Sequence, residues 1–117
     1  MTLHDRTVVG YHVSVVTIHP DRETADRFYE FLGEGHINRF LTDVPGVIPR
    51  ARVVRVDSNP DKLPQIEIHY QFGDKSLFDN YVKSDFASQF RGELKSFIDQ
   101  GVKVSRVTGL VSTILRE

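Results

Sequence analysis

The octet QIEIHYQF, residues 65 to 72, alternates without a break. Side chains of a strand point to opposite faces in turn, so Ile66, Ile68, Tyr70 and Phe72 fall on one side and Gln65, Glu67, His69 and Gln71 on the other. Such a segment belongs to an antiparallel sheet with one face packed on an apolar layer. The run IPRARVVRVD, residues 48 to 57, reads as a second strand. It joins the octet through SNPDKLP, whose Ser, Asn, Pro and Asp content marks a loop, and the two strands pair as a hairpin.

Two more strands bracket the chain. GYHVSVVTIH, residues 10 to 19, is rich in β-branched and aromatic residues and stops at Pro20, which has no N–H for a ladder. VKVSRVTGLVSTIL, residues 102 to 115, closes the chain and is interrupted by Gly109. Between the first two strands, PDRETADRFYEFLGEGHINRFL has the spacing of an amphipathic helix that starts at Pro20 or Asp21. Its Gly33 and Gly35 each cost a helix interior about 0.5–1 kcal/mol relative to alanine, which points to a kink or an early end. In DKSLFDNYVKSDFASQFRGELKSFIDQG, Leu77, Phe78, Tyr81 and Val82 occupy one arc and Phe86, Phe90, Leu94 and Phe97 another. The helix is therefore expected to break near Ser84 and Asp85, with Ser76 at its first cap and Gly101 just past its end.

The order strand, helix, strand, strand, helix, strand is that of a ferredoxin-like βαββαβ sandwich, an α+β fold with a four-stranded antiparallel sheet covered by helices on one face. A chain of 117 residues suits one such domain, assigned to residues 10–117 with residues 1–9 as an N-terminal extension. The first and last strands carry apolar residues on both faces, so the uncovered face is expected to pack in a homodimer. A formal net charge of -1 gives no broad attraction to nucleic acid or an anionic membrane. No apolar run approaches the ~20 residues that span a bilayer, and a soluble cytoplasmic protein is expected. The absence of cysteine removes thiolate ligands and nucleophiles.

With GEGHINRFL in the first helix, a two-part second helix and the strand VSRVTGLVSTIL, the chain resembles the dimeric α/β-barrel superfamily, and within it the uncharacterised DUF4286 family. Asn38 stands where that family has proline after His-Ile, and Phe90-Arg91 where it has Leu-Arg. The resemblance implies a dimer whose two sheets pack into a barrel, with a ligand pocket in each subunit between sheet and helices. Members include cofactor-free monooxygenases, haem-degrading enzymes, polyketide cyclases, isomerases, and dehalogenating or decarbonylating enzymes. The fold alone does not choose among them.

On a helical wheel His36 falls within the apolar stripe formed by Ala25, Phe28, Tyr29, Leu32 and Phe40. An imidazole there has an environment able to shift its pKa and to exchange a proton with a ligand. The alternatives are a histidine packed in the core on a backbone carbonyl, or one turned outward by a phase slip at the glycines. Tyr70, on the helix side of its strand, is a second candidate, as donor to a carbonyl or enolate oxygen, or simply a core aromatic. Tyr29, Leu32, Phe40 and Phe90 are candidate pocket walls, and Arg39 and Arg91 candidate carboxylate partners. His12, Glu67 and His69 can meet on the dimer-facing side, but they lack a metal-binding spacing and suit a polar interface network better; no metal or cofactor is expected.

These readings lead to a cofactor-independent enzyme that moves protons on a hydrophobic carbonyl-bearing metabolite, as in cyclisation or isomerisation. The rival readings are a cofactor-free or haem-handling monooxygenase and a non-catalytic binding or assembly protein.

Overall fold

The computed structural model describes residues 5–57 and 62–116. The elements run β1 (Asp5–Ile18), α1 (Arg22–Phe31), a π-type turn (Leu32–His36), α2 (Ile37–Asp43), β2 (Val47–Val56), β3 (Gln65–Phe72), α3 (Lys75–Val82), α4 (Asp85–Asp99) and β4 (Lys103–Arg116). The strands form one sheet in the order β2-β3-β1-β4. Each neighbouring pair is antiparallel. This is the expected ferredoxin-like α+β architecture.

The first strand departs from the sequence reading. It begins at Asp5 rather than Gly10, because residues Asp5 to Val9 pair with Arg116 to Ser112 of β4. Local composition does not reveal this extension, since a strand runs on wherever a neighbour supplies partners for its backbone groups. The supposed extension thus includes the start of a strand. Gly109, opposite His12, does not interrupt β4.

The helices start where side chains can cap them. Asp21 accepts from the Thr24 backbone N–H at 2.8 Å, and Ser84 from that of Ala87 at 3.2 Å. At α3 the cap is Asp74, not Ser76: the Asp74 carboxylate accepts from the Leu77 N–H at 2.9 Å and from the Ser76 hydroxyl at 2.7 Å. A carboxylate two positions earlier reaches the free N–H groups better than a hydroxyl already inside the first turn. The break between α1 and α2 is at Gly35, whose φ of 121° is a left-handed conformation that a side chain would strain. Gly101 ends α4 at φ 102°.

The core lies between the sheet and the helices. Val13, Val15, Ile66, Ile68, Tyr70 and Phe72 from the sheet meet Ala25, Phe28, Leu32, Phe40, Phe78 and Tyr81 from the helices, all buried. In β3 every second residue is buried, as its alternation requires. At one end of this layer His19 is fully buried, with its Nε2 2.9 Å from the Thr17 hydroxyl. Since that hydroxyl donates to the Ile66 carbonyl at 3.1 Å, His19 must donate through Nε2. Its Nδ1 is then a sealed acceptor without a partner.

Candidate functional site

A cavity of about 320 Å³ opens between α4 and the β1–β4 side of the sheet. Its walls include Val15, Val82, Ala87, Phe90, Leu94 and Val104, and its polar groups are Tyr70, Tyr81, Arg91, Ser105 and Arg106. The register accounts for the sheet side. Val15 on β1 lies opposite both Ile68 on β3 and Arg106 on β4, so Arg106 shares the helix-facing side with the buried valine. Tyr70 comes from β3 two residues on, and Tyr81 from the last turn of α3.

Both phenols are buried, at 8% and 7% exposure. Burial, joined by the neighbouring Tyr81, pushes the Tyr70 hydroxyl well above the ordinary phenol range; nearby Arg106 acts in the opposite sense. Burial likewise pushes Tyr81 up to about 12, against the pull of Arg91 and Arg106. At neutral pH the cavity therefore presents two un-ionised phenols in an apolar wall, near enough to hydrogen-bond each other and able to turn an O–H to a ligand oxygen. Arg91 is held in place by donating from Nη1 to the Val82 carbonyl at 3.1 Å. The Arg106 guanidinium lies 5.5 Å from the centre of the Phe78 ring.

His36 is not a wall of this cavity. It sits behind Phe90, stacked on that ring with centroids 4.3 Å apart, with Phe31 at 4.9 Å and Phe86 at 5.5 Å. The imidazole is 5% exposed, and loss of solvation, helped by Arg39, lowers its pKa to about 4. On its outer side is a shallow cleft of about 130 Å³ lined also by Arg39, Asp43, Gln89 and Glu93. On its inner side a void of about 10 Å³ touches His36, Phe40, Tyr70, Tyr81 and Phe90 together. Phe90 is thus the partition between the imidazole and the two phenols.

The residues expected to form one pocket are divided among several places. Tyr70, Phe90 and Arg91 share the cavity. Arg39 stays with His36 in the outer cleft. Phe40 is a core ring, 4.6 Å from that of Tyr70. Tyr29 and Leu32 belong to an apolar groove of about 390 Å³ beside β2, with Ile37, Leu41 and Val53. Tyr29 is 45% exposed despite its place on the apolar stripe, and its ring lies beneath the Arg55 guanidinium at 5.7 Å. Arg55 is in turn paired with Asp26 at 2.6 Å, so an ion pair over the aromatic face takes the place of burial.

Tyr81 and Arg106 are among the cavity residues that the sequence reading missed. Tyr81 stood on an apolar arc and passed for packing; the alternation of β4, which sets Arg106 in line with Val104, carried the signal for the second.

On the opposite sheet face, His12 and His69 do meet. His69 Nδ1 is 3.5 Å from His12 Nε2, and His69 Nε2 is 3.3 Å from Glu67 Oε1. Burial and the neighbouring His69 lower the pKa of His12. These contacts make the trio a polar network; among the described residues no group of three or more histidines, cysteines and carboxylates is placed to hold a metal ion.

The architecture defines a ferredoxin-like α+β protein with a cavity between sheet and helices. Solved structures share it. A dimeric ferredoxin-like protein from an uncultured marine organism superposes with a TM-score of 0.65 at 14% identity, covering 89% of this chain and 96% of that one. A monooxygenase from Streptomyces coelicolor in complex with nanaomycin D gives 0.61 at 17% identity, over 86% and 88%. A conserved Bacteroides thetaiotaomicron protein, described as a possible oxidoreductase, gives 0.63 at 10%, over 87% and 98%. At these identities the likeness establishes the fold. No family model matches the chain, so the closer resemblance to DUF4286 gains no support, and no curated protein matches it. Among the described residues no helix is long and apolar enough to cross a membrane.

Proposed function

We propose that this protein is a homodimeric, cytoplasmic small-molecule enzyme of the dimeric α/β-barrel type, acting by acid–base proton transfer on a hydrophobic carbonyl-bearing metabolite without a cofactor. The observation that carries this reading is the pair of buried, un-ionised phenols of Tyr70 and Tyr81 in an apolar cavity. A carbonyl oxygen placed there accepts from Tyr70, and negative charge that develops on it during enolisation is stabilised by donors already in position. His36, kept neutral by its aromatic surroundings, is the base, and reaches the ligand when Phe90 turns aside. The exposed Val107, Val56 and Ile18 on the uncovered sheet face, and the likeness to a dimeric ferredoxin-like protein, support pairing through that face.

Exchange of α-hydrogens for deuterium in a panel of aryl ketones in heavy water, followed by mass spectrometry, tests the reading before the natural substrate is known. The wild-type protein is expected to speed exchange, Tyr70→Phe to lose about a hundredfold or more of that rate, and His36→Ala to abolish it with the dimer intact. Equal exchange in all three removes proton transfer from the account.

A second reading, a cofactor-free monooxygenase, draws support from the likeness to the Streptomyces enzyme. Ligand-dependent oxygen consumption without added cofactor distinguishes it. Haem suits the cavity poorly. Among the described residues no histidine lines it, and its tyrosines are held as neutral phenols, the opposite of what a tyrosinate ligand requires. If neither exchange nor oxygen uptake is found, a non-catalytic binding role remains.

A further inference from the structure

The cavity has an unbalanced charge. Two of its lining residues, Arg91 and Arg106, are cations, and among the described residues none is a carboxylate. Among the described residues neither arginine enters an ion pair, although Arg55, Lys75 and Lys95 all do. Among the described residues Arg91 gives one N–H to the Val82 carbonyl, and the Arg106 guanidinium sits over the Phe78 ring. Among the described residues their remaining N–H groups have no protein acceptor. The outer cleft beside His36 differs, for Arg39 shares it with Asp43 and Glu93. The unbalanced positive charge therefore belongs to the Tyr70 cavity and not to its neighbour.

Resting on the reading of this cavity as the ligand site, we infer that its ligand is an acid: a flat, largely apolar molecule carrying a carboxylate or an ionised enol. The apolar body lies against Val15, Phe90, Leu94 and Val104, and the anionic oxygen meets Arg106 and Arg91. The phenols of Tyr70 and Tyr81 add neutral donors to the same oxygen or to a second one. Arg106 has a further consequence for a ligand that ionises in place. The positive charge that pulls against the raised pKa of both tyrosines also favours the anionic form of an acid set between them.

Two probes of nearly equal shape, 1-naphthoate and 1-naphthamide, isolate the charge. Calorimetry at pH 7.5 is expected to find naphthoate bound about tenfold or more tightly than the amide, with Arg106→Gln, and to a lesser degree Arg91→Gln, erasing the difference while the amide affinity stays the same. Both arginines are exposed at the mouth, so these variants keep the fold. Leu94→Trp, which fills the cavity, is expected to abolish binding of both probes.

Equal binding of the two probes, with no effect of Arg106→Gln, overturns the acidic ligand and leaves the cavity as a site for neutral molecules. Binding of neither probe, or binding that survives Leu94→Trp, overturns the cavity as the ligand site and the inference with it.

Discussion

The two faces of the sheet use the same strands to opposite ends. On the helix side, residues from β1 and β3 such as Val13, Ile66 and Phe72 are fully buried in an aromatic layer. On the other side, the alternate residues of the same strands carry the His12–His69–Glu67 network, with the exposed Val56 and Val107 on the flanking strands β2 and β4. Period-two alternation makes the division unavoidable, because one residue of slippage would exchange the faces. The helix face therefore carries the stability and the cavity, and the other face is free to be an interface.

The sharpest way to break this contrast is at the centre of the helix face. Phe28 is fully buried and packs edge-on against Phe97 at 5.0 Å. Phe28→Ala is expected to cost about 3–5 kcal/mol in urea denaturation, by loss of buried area and the void left behind.

Acid offers the next test. His36 titrates at about 4 in the folded chain against 6.5 in the unfolded one. Between those values the unfolded state binds more protons, so stability falls as pH drops through 6.5 and levels off near 4, by roughly 3 kcal/mol in all. Burial also lowers the pKa of His19, and this works in the same direction. Denaturation midpoints between pH 7.5 and 4 are expected to show a shallower slope in His36→Phe and a shallower one again when His19→Phe is added, with His12 accounting for part of what is left.

The glycines of the first helix give a smaller and two-signed effect. Gly35→Ala forces a side chain into φ 121°, at a cost of about 1–3 kcal/mol. Gly33 has nothing within 4 Å of where a Cβ would stand, so Gly33→Ala is expected to stabilise by about 0.4–1 kcal/mol. Thermal melts of the pair check the opposed signs.

The least change in stability belongs to the uncovered face. Val107 is 67% exposed, and Val107→Lys is expected to shift stability of the separate subunit by no more than about 0.5 kcal/mol. Sedimentation is expected to show loss of the proposed dimer, and an unchanged sedimentation coefficient would move the interface elsewhere.

These contrasts also explain what was legible in the sequence. The β3 alternation, Gly101 and the cap at Ser84 are local signals, and local signals were sufficient for the element order. The start of β1 depended on a partner more than a hundred residues away, so nothing in residues 5 to 9 announced it. The wheel put Phe28, Leu32, His36 and Phe40 correctly in the buried layer, but it carried no information on depth. Whether His36 faces a ligand or the Phe90 ring depends on α4, far along the chain. Tyr29 failed for a related reason, since a tyrosine over an exposed ion pair has the same spacing as one in a core.

The bend at Gly35 also sets a matter of span. Residues 22 to 43 as one straight helix would extend about 33 Å. The eight residues of β3 cover only about 26 Å, so such a rod would overhang the strand beneath it. Turned at a single left-handed peptide, its second part instead lays Phe40 down on Tyr70. One residue without a side chain thereby fits a long helical segment to the shortest strand of the sheet.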